Sequence, residues 1–273
     1  MFEAYILNQP KATGVIFWMM NSAWPETFWQ LFDWFLRPNG AFYGTMKANQ
    51  PLNLIYNYAD NAIYAVNLSM KPCKDMKAEI TLLNKDSKIV FSESKKIPDI
   101  SANGKTPVCN ISLKEFESPL FFLDLKLLNK NGDTVSNNFY WLSMKKEKMD
   151  FAKTIWYVTP VKEFADFSAL NNLEKCNMEI SKSIKFAGKK GIAKITIKNV
   201  SDKIAFFIEA KLIMHDSKDP VLPAFWNDNY ISLLPGEQRE LVCEFYKSDT
   251  GKQKVDIITT GFNSGKIKTV KGN

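Results

Sequence analysis

The sequence predicts a mainly β chain with two antiparallel β-sandwiches, preceded by one strand and one helix. Past residue 50 the sequence consists of short predicted strands separated by turn signals, and this pattern is typical of all-β domains. A polar stretch at residues 145–153 divides these strands into two blocks. A third observation, a long apolar run within residues 14–38, predicts the leading strand and helix. The length of 273 residues suits about two domains.

Residues 14–38 read GVIFWMMNSAWPETFWQLFDWFLRP and carry the strongest apolar pattern in the chain. The unbroken apolar run over residues 15–20 predicts a parallel strand that is buried on both faces. Pro25 and Glu26 suit a first helical turn, and the aromatic residues that follow give this helix more apolar surface than a lone helix can hide. Because so little chain precedes Gly14, we expect the partners of both elements to lie outside this chain, as part of something larger.

The first block predicts an immunoglobulin-like antiparallel sandwich, since it contains about seven short strands in roughly 95 residues. Alternation is clear in LFFLDLKLL, where Phe122, Asp124 and Lys126 share one face. Turn signals such as Asn103-Gly104 separate the strands. The predicted strands are residues 52–58, 62–68, 76–83, 89–93, 109–113, 120–128 and 134–142.

The second block follows the same pattern and predicts a second sandwich. KGIAKITIKN alternates cleanly, and Pro235-Gly236 is one of the turn signals between strands. We find no residue-level repeat between the two blocks, so we expect them to share architecture only. The predicted strands are residues 176–186, 192–200, 205–214, 230–233, 238–246 and 255–261.

Charge and composition argue against several classes of protein. The formal net charge of +7 comes mostly from lysines scattered along strands and turns. Nucleic-acid binding needs clustered basic residues with exposed aromatic residues, so we expect no nucleic-acid partner. No apolar run approaches the ~20 residues that cross a bilayer, so we expect no membrane span. The opening residues lack the features of a signal peptide, so an exported parent protein would carry its signal elsewhere.

The histidine and cysteine content predicts neither a metal site nor a cofactor. His215 is the one histidine, and the sequence around it predicts an exposed turn. Cys73, Cys109, Cys176 and Cys243 form no C-x-x-C pair that could hold zinc. Alternation places Cys176 and Cys243 on inward faces, where either a disulfide across the second sandwich or buried free thiols would fit. We favour free thiols.

Several stretches together resemble one known family. They are GVIFWMMNSAWPETFWQLFDWFLRPNGAFYG at 14–44, NFYWLS at 138–143, WYVTP at 156–160, ADFSALNNL at 165–173, PVLPAFWNDNYISLLPGE at 220–237 and TTGFNSG at 259–265. This set resembles the C-terminal portion of glycoside hydrolase family 2 enzymes. The resemblance is greatest to the exo-β-D-glucosaminidase branch and the related mannosylglycoprotein endo-β-mannosidases.

The resemblance implies a specific division of the chain. Residues 1–48 correspond to the last strand and helix of a truncated (β/α)8 barrel, so the expected fold is mainly β with a leftover β/α unit in front. Residues 49–145 and 176–273 correspond to two immunoglobulin-like sandwiches. Residues 146–175 form the connecting segment between them.

The resemblance also implies retaining glycoside hydrolysis, which uses two carboxyl groups. In this family both groups lie on earlier barrel strands, so we expect no catalytic residue in this chain, and Glu26 and Asp33 are not assigned that role. The expected substrate-binding residues are Trp18, Asn21 and Trp24. An indole ring can stack on the apolar face of a sugar, and an amide can form hydrogen bonds with sugar hydroxyls. Packing is the alternative role for both tryptophans. We expect a chitosan-type or mannoside oligosaccharide as partner only together with the barrel, no cofactor, and a secreted or periplasmic parent enzyme.

A second hypothesis is a stand-alone, non-catalytic carbohydrate-binding or structural β-sandwich protein. Its best candidate is the polar and aromatic cluster WNDNY at residues 226–230. Turn chemistry explains the three central residues of this cluster without a ligand, so we favour a structural role. We expect Trp141 and Trp156 to be packing residues as well.

Overall fold

The computed structural model confirms a mainly β chain. It describes residues 1–26, 30–251 and 253–270. Of the residues that the structure describes, 48% lie in strands and 11% in helices. None of the helices in this described part is long and apolar enough to cross a membrane.

The chain divides into two compact units, each with its own hydrophobic core. Unit 1 comprises Met1–Val15 and Lys47–Leu173, and unit 2 comprises Ile16–Met46 and Glu174–Asn273. The leading segment, expected as one piece, is thus divided between the two units.

Unit 1 contains seven main strands, one short hairpin and one short helix. Its elements are α1 (Phe2–Leu7), β1 (Leu52–Asn57), β2 (Ala62–Asn67), β3 (Met76–Asn84), β4 (Ile89–Ile97), β5 (Gly104–Asn110), β6 (Leu120–Leu128), β7 (Thr134–Ser143), β8 (Lys148–Met149) and β9 (Val161–Glu163), with 3-10 helices at Leu113–Glu115, Phe151–Lys153 and Ser168–Asn172.

The seven main strands of unit 1 form the predicted immunoglobulin-like sandwich. One sheet has the order β1-β2-β5 and the other has the order β4-β3-β6-β7, and β8 pairs with β9. Antiparallel register places Ile80 opposite Leu125 and Leu82 opposite Leu123, and all four side chains are fully buried. Helix α1 covers strand β1, where Ile6 joins a separate buried apolar cluster. Alternating apolar side chains therefore build the core, as the strand patterns predicted.

Strand β5 begins five residues earlier than the sequence predicts, since the prediction started at residue 109. Pro107 lies inside this strand, and proline cannot donate to a central ladder. It is tolerated because β5 is the edge strand of its sheet, and the register shifts beside it between Ile63 and Tyr64.

Unit 2 contains one helix and eight strands, some of them very short. Its elements are α2 (Gly40–Ala48, residues up to Met46), β10 (Cys176–Ala187), β11 (Lys190–Asn199), β12 (Ala205–Met214), β13 (Phe225–Trp226), β14 (Ile231–Leu233), β15 (Gln238–Tyr246), β16 (Val255–Thr260) and β17 (Ser264–Thr269), with a 3-10 helix at Lys247–Thr250.

The strands of unit 2 form the second sandwich, with one departure from the predicted antiparallel pattern. One sheet has the order β13-β15-β11-β10-β17 and the other has the order β14-β12-β16. Strand β17 was not predicted, and it pairs in parallel with β10 at the edge of the larger sheet. Tyr43 of α2 is fully buried in this core, with Cys176 and Cys243. Both cysteines are free thiols, which agrees with the favoured alternative.

The leading strand and helix predicted from residues 15–38 are not present in the described residues. Residues 15–20 form no strand, and only an isolated bridge joins Asn21 to Phe32. Residues 30–39 form no helix, while Phe28 and Trp29 lie outside the described residues. A strand buried on both faces needs a neighbouring strand on each side and covering helices, which this part of the chain does not supply.

A buried asparagine ends strand β2 and ties three chain segments together. Asn67 is fully buried, and its Nδ2 donates to the carbonyls of Lys71 at 2.8 Å and Ser101 at 3.0 Å. Its Oδ1 accepts from the backbone N–H of Ser69 at 2.9 Å and from the Ser69 hydroxyl at 2.7 Å. One side chain therefore satisfies several backbone groups that lie away from water.

The same arrangement occurs at the end of strand β11. Asn199 is fully buried, and its Nδ2 donates to the carbonyls of Lys203 at 2.7 Å and Leu233 at 3.1 Å. Its Oδ1 accepts from the N–H of Ser201 at 3.1 Å and from the Ser201 hydroxyl at 2.7 Å. Both sites read N-x-S-x-K, so the expectation of no residue-level repeat is wrong. We call each site an asparagine anchor.

Replacing the first asparagine anchor should destabilise unit 1. Asn67→Ala leaves buried carbonyls and an N–H without partners, so we expect the free energy of unfolding to fall by roughly 2–4 kcal/mol. Asn110→Ala is the matched control, because this exposed asparagine makes one long hydrogen bond of 3.3 Å to Asp60 and should change stability by less than about 0.5 kcal/mol. Urea unfolding measures both variants, and equal losses would contradict the structural role of the anchor.

Candidate functional site

The three predicted sugar-contact residues lie on irregular backbone at the surface of unit 2. Trp18 is 76% exposed and Trp24 is 62% exposed, so neither is a core residue. Asn21 is exposed, and its Nδ2 donates to the carbonyl of Ser22 at 3.2 Å. Burial of either indole in the core of unit 2 does not agree with this exposure.

These residues lie within residues 16–26 and 30–36, which expose many apolar side chains and which we call the apolar segment. Monomeric proteins rarely expose contiguous apolar patches above a few hundred Å², and such patches mark interaction sites. The exposed side chains are Ile16, Trp18, Met19, Met20, Trp24, Trp34, Phe35 and Leu36.

The two carboxyl groups nearest to this segment have different environments. Asp33 is held by Arg37, whose Nε donates to it at 2.7 Å and whose Nη2 lies 2.6 Å from the same oxygen. The backbone N–H of Arg37 donates to the other carboxylate oxygen at 3.0 Å. These contacts between Asp33 and Arg37 close a short loop and occupy both carboxylate oxygens of Asp33. Glu26 is exposed, next to the residues that are not described.

The cluster at residues 226–230 is part of the core of unit 2. Trp226 is only 7% exposed and packs with the buried residues of the second sandwich. Asn229 is buried, and its amide bonds both the N–H and the carbonyl of Ala210 at 2.8 Å. The favoured structural role fits these contacts, whereas a sugar platform would need an exposed indole. Trp156 behaves in the opposite way, since it is 94% exposed rather than packed.

The described residues contain no group of three or more His, Cys, Asp or Glu side chains that could hold a metal ion. His215 lies in the turn that follows β12, where its backbone N–H donates to the carbonyl of Lys254 at 2.7 Å. Burial raises the pKa of the Cys243 thiol to about 12, which makes it a poor nucleophile.

A carboxyl group that the sequence gave no reason to select lies largely buried in unit 1. Glu3 of helix α1 accepts a hydrogen bond of 2.8 Å from the Tyr140 hydroxyl and one of 2.5 Å from the Asn138 amide. Burial raises the pKa of this carboxyl, and the two hydrogen bonds and the amino terminus lower it by smaller amounts. Tyr140 also accepts from the N–H of Tyr56 at 3.2 Å. Glu3 thereby fixes α1 to the sandwich.

Raised carboxyl pKa values are common at catalytic sites, but this one has a structural explanation. Every contact of Glu3 in this cluster is with its own sandwich, and a single carboxyl group cannot perform the two-carboxylate chemistry of a glycosidase. No sequence signal could have found this pairing, because Glu3 and Tyr140 are 137 residues apart.

Two family models match the two sandwiches. Residues 156–264 match the exo-β-D-glucosaminidase Ig-fold domain, and residues 60–147 match the mannosidase Ig/CBM-like domain. The two sandwiches are therefore immunoglobulin-fold domains of the exo-β-D-glucosaminidase and mannosidase type, which belongs to glycoside hydrolase family 2. The family resemblance drawn from the sequence is therefore confirmed.

Similar proteins include exo-β-D-glucosaminidases from bacteria and fungi. The enzyme from Amycolatopsis orientalis is 33% identical over 97% of this chain, and the enzyme from Arthroderma benhamiae is 31% identical over 96%. A mannosylglycoprotein endo-β-mannosidase from Lilium longiflorum is 21% identical over 86% of this chain. The chain spans only 26% to 29% of the length of these relatives.

Solved structures of the glucosaminidase family have the same fold. An exo-chitosanase from Amycolatopsis orientalis matches 97% of this chain and 32% of its own, with 32% identity and a TM-score of 0.91. The same exo-chitosanase has been solved in complex with PNP-β-D-glucosamine. A β-D-mannosidase from Dictyoglomus thermophilum shares the fold at 19% identity and a TM-score of 0.64.

The buried carboxyl of Glu3 should make unit 1 less stable as the pH rises. Its folded pKa is raised, so the unfolded chain loses this proton first and stability falls from about pH 4.5 upward until the folded pKa is passed. Glu3→Gln keeps the acceptor oxygen but cannot ionise. We expect it to raise the free energy of unfolding at neutral pH and to have little effect at low pH.

Thermal unfolding across this pH range tests the prediction, with Glu244→Gln as a control for an exposed surface carboxylate. A Glu3→Gln variant that is destabilised at neutral pH but not at low pH would show that the ionised carboxylate stabilises unit 1 instead, and would overturn the prediction.

Proposed function

We propose that this chain is the C-terminal accessory region of a retaining, exo-acting β-glycosidase. On this proposal, residues 1–48 supply the last strand and helix of a (β/α)8 barrel, and the catalytic carboxylates lie on earlier strands of that barrel. Residues 49–145 and 176–273 are the accessory sandwiches, and residues 146–175 connect them. The preferred substrate is a β-D-glucosaminide, with a β-mannoside as the alternative.

The proposal rests mainly on one observation: this chain matches one part of enzymes that are much longer. Nearly the whole chain aligns with exo-β-D-glucosaminidases, yet it spans about a quarter of their length. Identity of 31–33% to the glucosaminidases compared above, against 21% to the endo-β-mannosidase, favours the glucosaminide.

The apolar segment gives independent physical support. Its tryptophans, methionines and leucine are exposed in unit 2 although its sequence has the composition of a strand buried on both faces. Burial of an apolar side chain is worth roughly 1.5–3 kcal/mol, so several exposed ones favour association with another surface. A barrel that lacks its last strand would offer such a surface, with open backbone groups for pairing.

The proposed chemistry is a double displacement at the anomeric carbon. One carboxylate attacks this carbon while a carboxylic acid protonates the leaving oxygen, which leaves the sugar bound to the first carboxylate. The second group, now deprotonated, takes a proton from water as this water attacks the carbon and releases the first carboxylate. Barrel enzymes build their active sites at the carboxyl ends of the strands. Trp18, Asn21 and Trp24 would stand at that end of the last strand, the tryptophans stacking on the sugar and the asparagine bonding its hydroxyls.

The stand-alone binding hypothesis loses its best candidate, because Trp226 is buried in a core. Trp156 and its neighbours remain exposed, but the family match and the exposed apolar segment both favour a role within a longer enzyme. We therefore keep the accessory region as the proposed function.

Removing part of the apolar segment should reduce the binding of hydrophobic dyes. Trp18→Ser combined with Trp24→Ser removes two large exposed indoles, so we expect anilinonaphthalene sulfonate fluorescence to fall by roughly half without loss of stability. Phe225→Ser is the matched control, since this side chain is 58% exposed but lies outside the segment. Equal dye binding by the double variant and the wild type would contradict the proposal.

The chain by itself should not hydrolyse an aryl β-glucosaminide, whereas the longer protein that joins it to its barrel should. In that longer protein, Trp24→Ala should lower kcat/KM by about tenfold, which is the upper value of one aromatic stacking contact. Trp156→Ala serves as the matched control, because this indole is 94% exposed and lies outside the apolar segment. Turnover by the isolated chain that is lost in Glu26→Gln would place a catalytic residue here and overturn the proposal.

A further inference from the structure

A second aromatic site lies entirely within unit 1, and the sequence did not predict it. A pocket of about 390 Å³ opens between the ends of strands β1 and β7 and the segment that follows β7. This volume is within the usual range of small-molecule sites. The connecting segment forms one wall of the pocket. The lining residues that matter here are Tyr56, Tyr58, Ser143, Lys145, Glu147 and Phe167.

Aromatic rings form the apolar part of the pocket. The rings of Tyr56 and Tyr58 lie 5.2 Å apart at 78°, and the Tyr56 hydroxyl donates to Asn61 Oδ1 at 3.0 Å. Tyr58 is 57% exposed and Phe167 is 37% exposed, so both offer ring surface to a ligand. Edge-to-face contact with Tyr56 and Tyr140 fixes the orientation of Tyr58.

Hydrogen bonds hold the polar rim in place. Lys146 Nζ donates to the Tyr58 carbonyl at 3.2 Å and to Asn61 Oδ1 at 2.6 Å, which ties the connecting segment to the strand end. Ser143 Oγ accepts from the N–H groups of Lys145 at 3.1 Å and Asp166 at 3.2 Å. These two bonds use the lone pairs of the serine, so its hydroxyl proton can be donated to a ligand.

This combination of groups suits a sugar. A pyranose has an apolar C–H face that stacks on an aromatic ring and an edge of hydroxyls that both donate and accept. The exposed Glu147 carboxylate can accept from such hydroxyls, and Lys145 and Ser143 can donate to them. The larger cavity of unit 2, about 620 Å³ and lined by residues such as Lys194 and Thr196, has no aromatic residue in its lining and offers no stacking surface.

The charge of the pocket rim distinguishes between charged and uncharged sugars. Lys145 and Lys146 contribute two positive charges and Glu147 contributes one negative charge. The net positive rim disfavours a protonated amino sugar relative to a neutral one. We propose that this pocket binds an uncharged pyranose, such as a terminal mannose or N-acetylglucosamine residue of a glycan. The pocket lies within unit 1 and does not depend on the proposed function.

The test is calorimetric titration of the whole chain with methyl β-D-mannoside, N-acetylglucosamine and glucosamine near neutral pH. We expect dissociation constants of about 1–10 mM for the two uncharged sugars and weaker binding, by a few-fold, for glucosamine. Tyr58→Ala should weaken binding by up to about tenfold, while Tyr58→Phe should bind as well as the wild type. Tyr246→Ala is the matched control, because this exposed tyrosine lies in unit 2 and outside the pocket.

Phe167→Ala provides a second variant in case Tyr58→Ala does not fold, and it should also weaken binding. No heat with any sugar at about 50 mM, or equal binding by the wild type and both pocket variants, would overturn the proposal. A preference for glucosamine would overturn the assignment to uncharged sugars. Because the hydrolytic assay of the longer protein is separate, its failure would leave this proposal intact, and failure of sugar binding here would leave the glycosidase proposal intact.

Discussion

A buried carboxamide at the end of a central strand is the interaction on which each sandwich depends. Asn67 and Asn199 occupy equivalent places in the two units, and each bonds a turn that follows its strand and a carbonyl from a distant segment. The strand ends lie away from water, so their backbone groups need a partner within the protein. One side chain supplies it in both units. The repeated N-x-S-x-K motif shows that the two sandwiches use one local solution, although their strand orders differ.

The apolar segment differs from helix α2 in how much of its apolar side-chain surface is buried. Tyr43 and Trp18 both belong to the leading part of the chain, yet Tyr43 is buried in the core of unit 2 and Trp18 is exposed. Helix α2 satisfies its own backbone, so it can pack against a sandwich. A strand cannot do this, because its N–H and carbonyl groups need neighbouring strands. The family relationship and this exposed surface together support an accessory region that completes a barrel.

The connecting segment has more structure than a linker needs. It folds back on the first sandwich through Lys146 and Asp166, and its Phe167 lines the same pocket as Tyr56 and Tyr58. A small sugar site at this position would give unit 1 a binding role of its own. In the proposed glycosidase, it would hold a glycan while the catalytic residues act elsewhere.

Local patterns in the sequence predicted most of the strands, both sandwiches and the family relationship. Residues 120–128 and 238–246 were predicted to the residue, because alternation of apolar and polar side chains is a local property of a strand. Three other features emerge only from the folded chain: the parallel pairing of β17 with β10, the exposure of Trp18, and the contact of Glu3 with Tyr140. These features depend on segments that meet across long stretches of chain, so no local pattern contains them. The asparagine anchors lie between the two cases, since their motif is local but their partner carbonyls come from remote strands and turns.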